Sequence, residues 1–282
     1  MIPSEKLIEP ERTPSKILCM ASNFINLPDA TQLIRGTTNI YQYSEDAANF
    51  LAPFTCVMAA IVGNKYAVRT WSPEVVDYVL RCGFKLYKTI NVRFEDISEM
   101  QIQKICLGKT NFTVDINYKY DGFFSKRILE DSLEKMLRPN EDWIIITTQE
   151  SAFSVFLRDG LYHLYDPLPT NDVGLVEVND VEDKKGTASF GRFTDLDSLV
   201  TRIVYNKNKR DEKEKLKYSR FAVSTCTVTY LQPKPEPHKT GQKYKEEELQ
   251  VVDYAEDISQ HEVHPEKHRR IDDKERPKNK VG

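Results

Sequence analysis

The sequence predicts an α+β fold, a mainly antiparallel sheet with helices packed against it. Three observations predict it. Helical hydrophobic spacing dominates residues 51–137. Extended, β-branched runs dominate from Trp143 to Tyr230. A strong Asp159-Gly160 turn joins two of those runs as a hairpin.

The first helix opens at Leu51-Ala52-Pro53, with Pro53 suited to a first turn, where its missing N–H costs nothing. Phe54, Met58 and Ile61/Val62 form a bulky stripe, and Cys56, Ala59, Ala60 and Gly63 a small one, as expected of a helix buried on both sides. Ser72-Pro73-Glu74 is an N-cap and first-turn signal for a second helix carrying Val75, Val76, Val79, Leu80 and Leu86, which Gly83 either ends or sits inside, tolerated. Ser125–Leu137 is amphipathic and Pro139 stops it. Trp143–Thr147 reads as a central strand, Phe153–Leu157 and Leu161–Asp166 as the hairpin, and Thr187–Phe193 and Phe221–Tyr230 as further strands. Asp195 caps a helix through Tyr205, with Leu196, Leu199, Val200 and Ile203 inward. The run Lys207-Asn208-Lys209-Arg210, broken by Asp211-Glu212, reads as a solvated loop or helix face.

Composition bounds the function. The chain has 282 residues with 40 Lys+Arg against 43 Asp+Glu, which gives no case for a polyanion-binding surface. No run approaches the ~18 apolar residues of a membrane span. Met1–Lys6 carries a proline and charges where a secretory signal needs an apolar core. The five cysteines form no CxxC pair, so neither a zinc site nor a disulfide framework is expected, and no cofactor motif appears. The expected location is intracellular, cytoplasmic and/or nuclear, without membrane or nucleic-acid partners. The expected organisation is a flexible leader over 1–16, a domain over 17–231 and a disordered charged tail over 232–282. Inside the tail, Leu249, Val252 and Ala255 share one helical face, so 248–258 is a candidate short docking helix. Lys267–Arg270 is a weak nuclear-import patch. Four of the five histidines lie in the tail, and the domain owns only His163.

Within the domain, Cys56 is the first chemical candidate. In the first turn of its helix, unpaired N–H groups and the helix dipole would favour a thiolate, although buried cysteines are common. An ordered series surrounds it: Gly36–Gln42, Cys56, Trp71–Asp77, Gly83–Tyr87, Asp159–Leu168 and Gly186–Ala188. Over roughly Leu33–Tyr205 this series resembles the papain-like cysteine peptidase domain of herpesvirus large tegument deubiquitinases, and more closely the divergent copies in insects and other animals. The resemblance implies a papain-like architecture, with a buried helix carrying the nucleophile Cys56 against the sheet. It implies Gln42 at the oxyanion-hole position, which the residues alone read equally well as an ordinary loop glutamine. It implies Asp166 as the aspartate of an Asp-x-His motif whose histidine position holds Leu168. Leucine cannot take the thiol proton or protonate a leaving amine. His163 lies three positions before Asp166, on the opposite face of an extended strand. The expected function is therefore a catalytically degenerate deubiquitinase-like domain that binds protein, with ubiquitin or a related modifier as candidates. Two alternatives stay open: an active cysteine deubiquitinase with a non-standard base, and an interaction protein working through its tail.

Overall fold

The computed structural model describes residues 23–28, 31–44, 48–90, 101–108, 110–149, 151–177, 185–213, 219–231 and 249–251. The elements run β1 (Ile25–Asn26), β2 (Gln32–Arg35), a 3-10 turn (Ile40–Gln42), α1 (Ala48–Lys65), α2 (Pro73–Ile90), β3 (Gln101–Leu107), β4 (Thr110–Phe123), α3 (Lys126–Met136), β5 (Trp143–Thr148), β6 (Ala152–Arg158), β7 (Leu161–Thr170), β8 (Thr187–Phe193), α4 (Leu196–Lys213), β9 (Arg220–Leu231) and β10 (Leu249–Val251). The strands form one sheet in the order β1-β2-β8-β7-β6-β5-β9-β4-β3-β10, with every pairing antiparallel. The expected α+β class is what the chain adopts.

Each face of the sheet carries its own core. Trp143 and Ile145 of β5 join α1 and α2 on one side, and Ile144 and Ile146 join α3 and α4 on the other. The alternation along a strand explains the unbroken apolar run: β5 lies between β6 and β9, and both of its faces are covered. The hairpin expectation also holds. Asp159 and Gly160 take φ of 54° and 73°, the left-handed pair that a two-residue turn between twisted strands favours. Ser125 caps α3 by accepting from the Ile128 N–H at 3.2 Å, and Asp195 caps α4 by accepting from the Ser198 N–H at 2.8 Å.

Several readings need correction. The first helix starts at Ala48, three residues before Leu51, so Pro53 sits inside α1 and Cys56 lies in its middle. The helix whose expected end was Tyr205 continues to Lys213. The segment 101–123, given no element by its pattern, forms β3 and β4. Leu249–Val251 runs as a strand against β3, not as part of a helix. The remainder of 248–258, the leader 1–16 and the rest of the tail 232–282 lie outside the described residues.

Gly83 lies inside α2, the second of its two expected placements. It is where α2 crosses α1: a Cβ there would stand 2.5 Å from Thr55 Cγ2 and 2.6 Å from Thr55 Cα. An alanine would normally strengthen a helix by roughly 0.5–1 kcal/mol. At this crossing it must push two buried helices apart, so we expect Gly83→Ala to destabilise the protein by about 1–3 kcal/mol net. Urea unfolding checks the sign, and a stabilised variant would refute the close crossing.

Candidate active site

α1 is buried along its length. Every residue from Leu51 to Gly63 is inaccessible, because the helix is pressed between α2 and strands β5, β6, β7 and β9. Cys56 has 0% exposure. As a mid-helix residue it faces no free N–H groups, so the first-turn argument for a thiolate fails. Burial, and next the neighbouring Asp166 carboxylate, pushes its thiol well above the ordinary range. Tyr165 is also fully buried, and burial first, then the neighbouring Cys56, raises its pKa well above the ordinary range. The cysteine is held as a neutral thiol in a dry core, the inverse of what a nucleophile needs.

The other motif blocks meet around the entrance to α1. Asp77 on α2 accepts hydrogen bonds from the Thr37 N–H at 2.9 Å, the Thr37 hydroxyl at 2.6 Å and the Thr38 N–H at 3.3 Å. The Asn39 amide donates to the Gly186 carbonyl at 2.9 Å, and its oxygen accepts from the Tyr41 N–H at 2.9 Å. The Ala188 N–H donates to the Thr38 carbonyl at 2.8 Å. Trp71 packs on Phe190 with ring centroids 4.3 Å apart. Blocks scattered over 150 residues thus fasten one loop, and this loop carries the 3-10 turn ending at Gln42. The turn rests against α1 and β7, but the Gln42 side chain is exposed.

Asp166 and Leu168 are both buried, at 1% exposure each, yet they do not share a face. Along β7, His163 and Tyr165 face α1, and Leu164 faces α3 and α4. Strict alternation would put Leu168 with Asp166. The register with β8 shifts between Asp166 and Thr170, across a stretch with two prolines, Pro167 and Pro169, which cannot donate to a ladder. Asp166 accepts from the Leu168 N–H at 3.1 Å, and the Leu168 side chain turns into the same core cluster as Cys56. The position that the resemblance assigns to a base therefore does lie on the cysteine side, occupied by an apolar group.

The Asp166 carboxylate is committed elsewhere. Arg210 on α4 donates through Nη2 at 3.1 and 2.9 Å, and the Asn206 amide donates at 3.1 Å. Burial raises the Asp166 pKa while the Arg210 guanidinium pulls it back. The side chains of this ion pair are 5% and 1% exposed. Arg210, Lys207 and Asp211 contradict the reading of 207–212 as a solvated face: Lys207 pairs with Asp211 at 2.5 Å and both are buried. The signal was available, since Leu199, Ile203, Asn206 and Arg210 continue one helical stripe at spacings of four, three and four.

His163 supplies no base. It stacks on Phe156 at 4.5 Å, and its Nδ1 lies 3.0 Å from the Leu161 carbonyl. Burial, then the Arg192 charge, lowers its pKa to about 3. Among the described residues no group of three or more His, Cys, Asp or Glu is placed to hold a metal. No helix among them is long and apolar enough to cross a membrane.

Two outcomes follow. Arg210→Met leaves a buried carboxylate uncompensated, so stability at pH 7 should fall by about 3–5 kcal/mol. The deficit should narrow as the pH drops and Asp166 takes a proton; urea unfolding at pH 7 and pH 5 measures both. His163 binds a proton in the unfolded chain below its ordinary pKa near 6.5 but not in the folded one until about pH 3. Its contribution is present above pH 6.5 and is lost as pH falls between those values, at about 1.4 kcal/mol per pH unit. His163→Phe should flatten the acid limb of the stability curve by that slope, and an unchanged limb would refute the assignment.

A search of curated proteins gives no match. Among solved structures, the chain is similar to the ubiquitin-specific protease encoded by murine cytomegalovirus tegument protein M48, crystallised in complex with a ubiquitin-based suicide substrate. The sequences are 10% identical, the match covers 73% of this chain and 89% of that one, and the TM-score is 0.49. The family model described as herpesvirus tegument protein, N-terminal conserved region, matches residues 41–231, more than half of the chain. The chain belongs to the family of the herpesvirus tegument protein N-terminal conserved region.

Proposed function

We propose that this chain is a catalytically degenerate deubiquitinase-like domain that acts by binding a protein, with ubiquitin or a ubiquitin-like modifier as the first candidate. The observation that carries the reading is Leu168. It stands at the base position and packs into the apolar core that holds Cys56. Three further facts support it. The Cys56 thiol is inaccessible and held protonated. Asp166, the orienting carboxylate implied by the resemblance, spends its acceptors on Arg210, Asn206 and the Leu168 N–H. His163 is stacked in the core with its pKa far below neutrality. Losing one member of a catalytic unit costs several orders of magnitude in rate, and here the base is lost and its partner redirected.

A ubiquitin carrying a thiol-reactive C-terminal group tests this reading. The wild-type protein should not be labelled at neutral pH, and ubiquitin conjugates should remain intact. Leu168→His alone should not create activity, because Asp166 stays bound to Arg210 and the thiol stays buried. Labelling that disappears in Cys56→Ala would overturn the reading in favour of an active cysteine deubiquitinase. Binding itself is read separately, by titrating unmodified ubiquitin and following amide shifts. Absence of shifts would move the partner to another protein without restoring catalysis.

A further inference from the structure

The ten-stranded sheet ends at β10, a strand drawn from the tail. Its pairing is short. Leu249, Gln250 and Val251 oppose Leu107, Cys106 and Ile105, so three of the seven β3 residues are covered. Gln101–Lys104 have no strand partner on that side among the described residues. An uncovered strand edge offers N–H and C=O groups to any extended segment, which is how strand addition recognises peptides. The sequence of the occupant suits the role: Leu249-Gln250-Val251-Val252 contains two β-branched residues and no proline or glycine.

The chain path makes the occupancy local and exchangeable. β9 ends at Leu231, opposite Asn111 at the start of β4, and β10 starts opposite Leu107 at the end of β3. The two ends therefore lie at the same end of the sheet, three strand steps apart, about 14 Å at ~4.8 Å per step. Residues 232–248 join them, and 17 residues can span roughly 56 Å. A connection of this length can reach the edge of its own sheet and equally that of a neighbour. Tethering through a connection of this length corresponds to an effective concentration on the order of millimolar. Below that, the chain's own segment wins.

We propose that the outer edge of β3 is a strand-docking site whose occupant is residues 249–251 of this chain, supplied in cis by the same molecule and in trans by a second copy. The tail closes the sheet edge by strand addition, and its exchange between copies is the route by which this surface makes a dimer. Within 248–258, Leu249–Val251 thus dock as a strand, and they dock first on their own domain. The inference is independent of the state of Cys56.

The native Cys106 lies opposite Gln250 and reads the pairing directly. Directly paired antiparallel residues fall within the Cα separations that a disulfide spans. In full-length Gln250→Cys, mild oxidation with diamide at micromolar protein should give a Cys106–residue 250 cross-link within the monomer, and near-millimolar protein should add cross-linked dimers through the same two positions. A protein that stays uncross-linked, or links through other cysteines only, overturns the proposal. The second readout is hydrogen exchange in full-length Gln250→Pro/Val251→Pro, which removes a ladder donor whichever alternate residues of β10 are bonded. The outward amides among Ile105–Leu107 should lose at least about tenfold in protection while the β5 amides keep theirs. A labelled peptide of residues 245–257 should then bind this variant and not the wild type. Equal binding to both, or to neither, overturns the assignment.

Discussion

The burial of α1 is the constraint on which the rest of the structure depends. A helix with no exposed residue from Leu51 to Gly63 must be apolar except where a side chain bonds within it, as the Thr55 hydroxyl does to the Ala52 carbonyl, and it must be approached closely on every side. Gly83 lets α2 come within contact of the Thr55 backbone, and Gly63 leaves room for the Trp143 ring. The helix fixes the plane of the sheet and the core cluster shared by both. It also decides the chemistry of Cys56. A thiol in that position can be charged only at the cost of placing an anion beside Asp166 and Tyr165 without water. Burial of the helix and ionisation of the thiol therefore pull in opposite directions.

The second organising interaction is the polar knot at Asp166. A carboxylate buried to 1% exposure persists because a guanidinium, an amide and a backbone N–H converge on it. The knot ties β7 to α4 and carries the irregular stretch Asp166–Thr170. That irregularity turns Leu168 toward α1. One local distortion thus goes with two features: Asp166 bonds to α4 on one side of the sheet, and Leu168 joins the core cluster that holds Cys56 on the other. A polar group at position 168 would have to be buried in that core, where an unpaired polar atom is costly.

Much of this was legible in the sequence. The alternation from helices to strands gave the class, Asp159-Gly160 gave the hairpin, and Ser125 and Asp195 gave two helix starts, because each depends on local backbone preference. The face-to-face opposition of His163 and Asp166 followed from strand alternation alone. Departures came where distant contacts override local signals. Pro53 marks a first turn by local rule, but packing extends α1 back to Ala48. Lys207, Arg210 and Asp211 are charged and look solvated, but α4 lies along β7 and their charges are neutralised in pairs. The strand at 249–251 depends on an edge more than 140 residues earlier in the chain.

The sequence by itself determined the α+β class, the ordered motif series and the absence of a histidine at position 168, since composition, local propensity and residue identity need no third dimension. Tertiary structure alone decided that Cys56 is mid-helix and inaccessible, that Asp166 belongs to Arg210, and that Gln42 is exposed. Burial, pairing and charge state are properties of neighbours, and the neighbours of these residues come from other elements: for Asp166 on β7 they lie on α4, and for Cys56 on α1 they lie on β7 and β9.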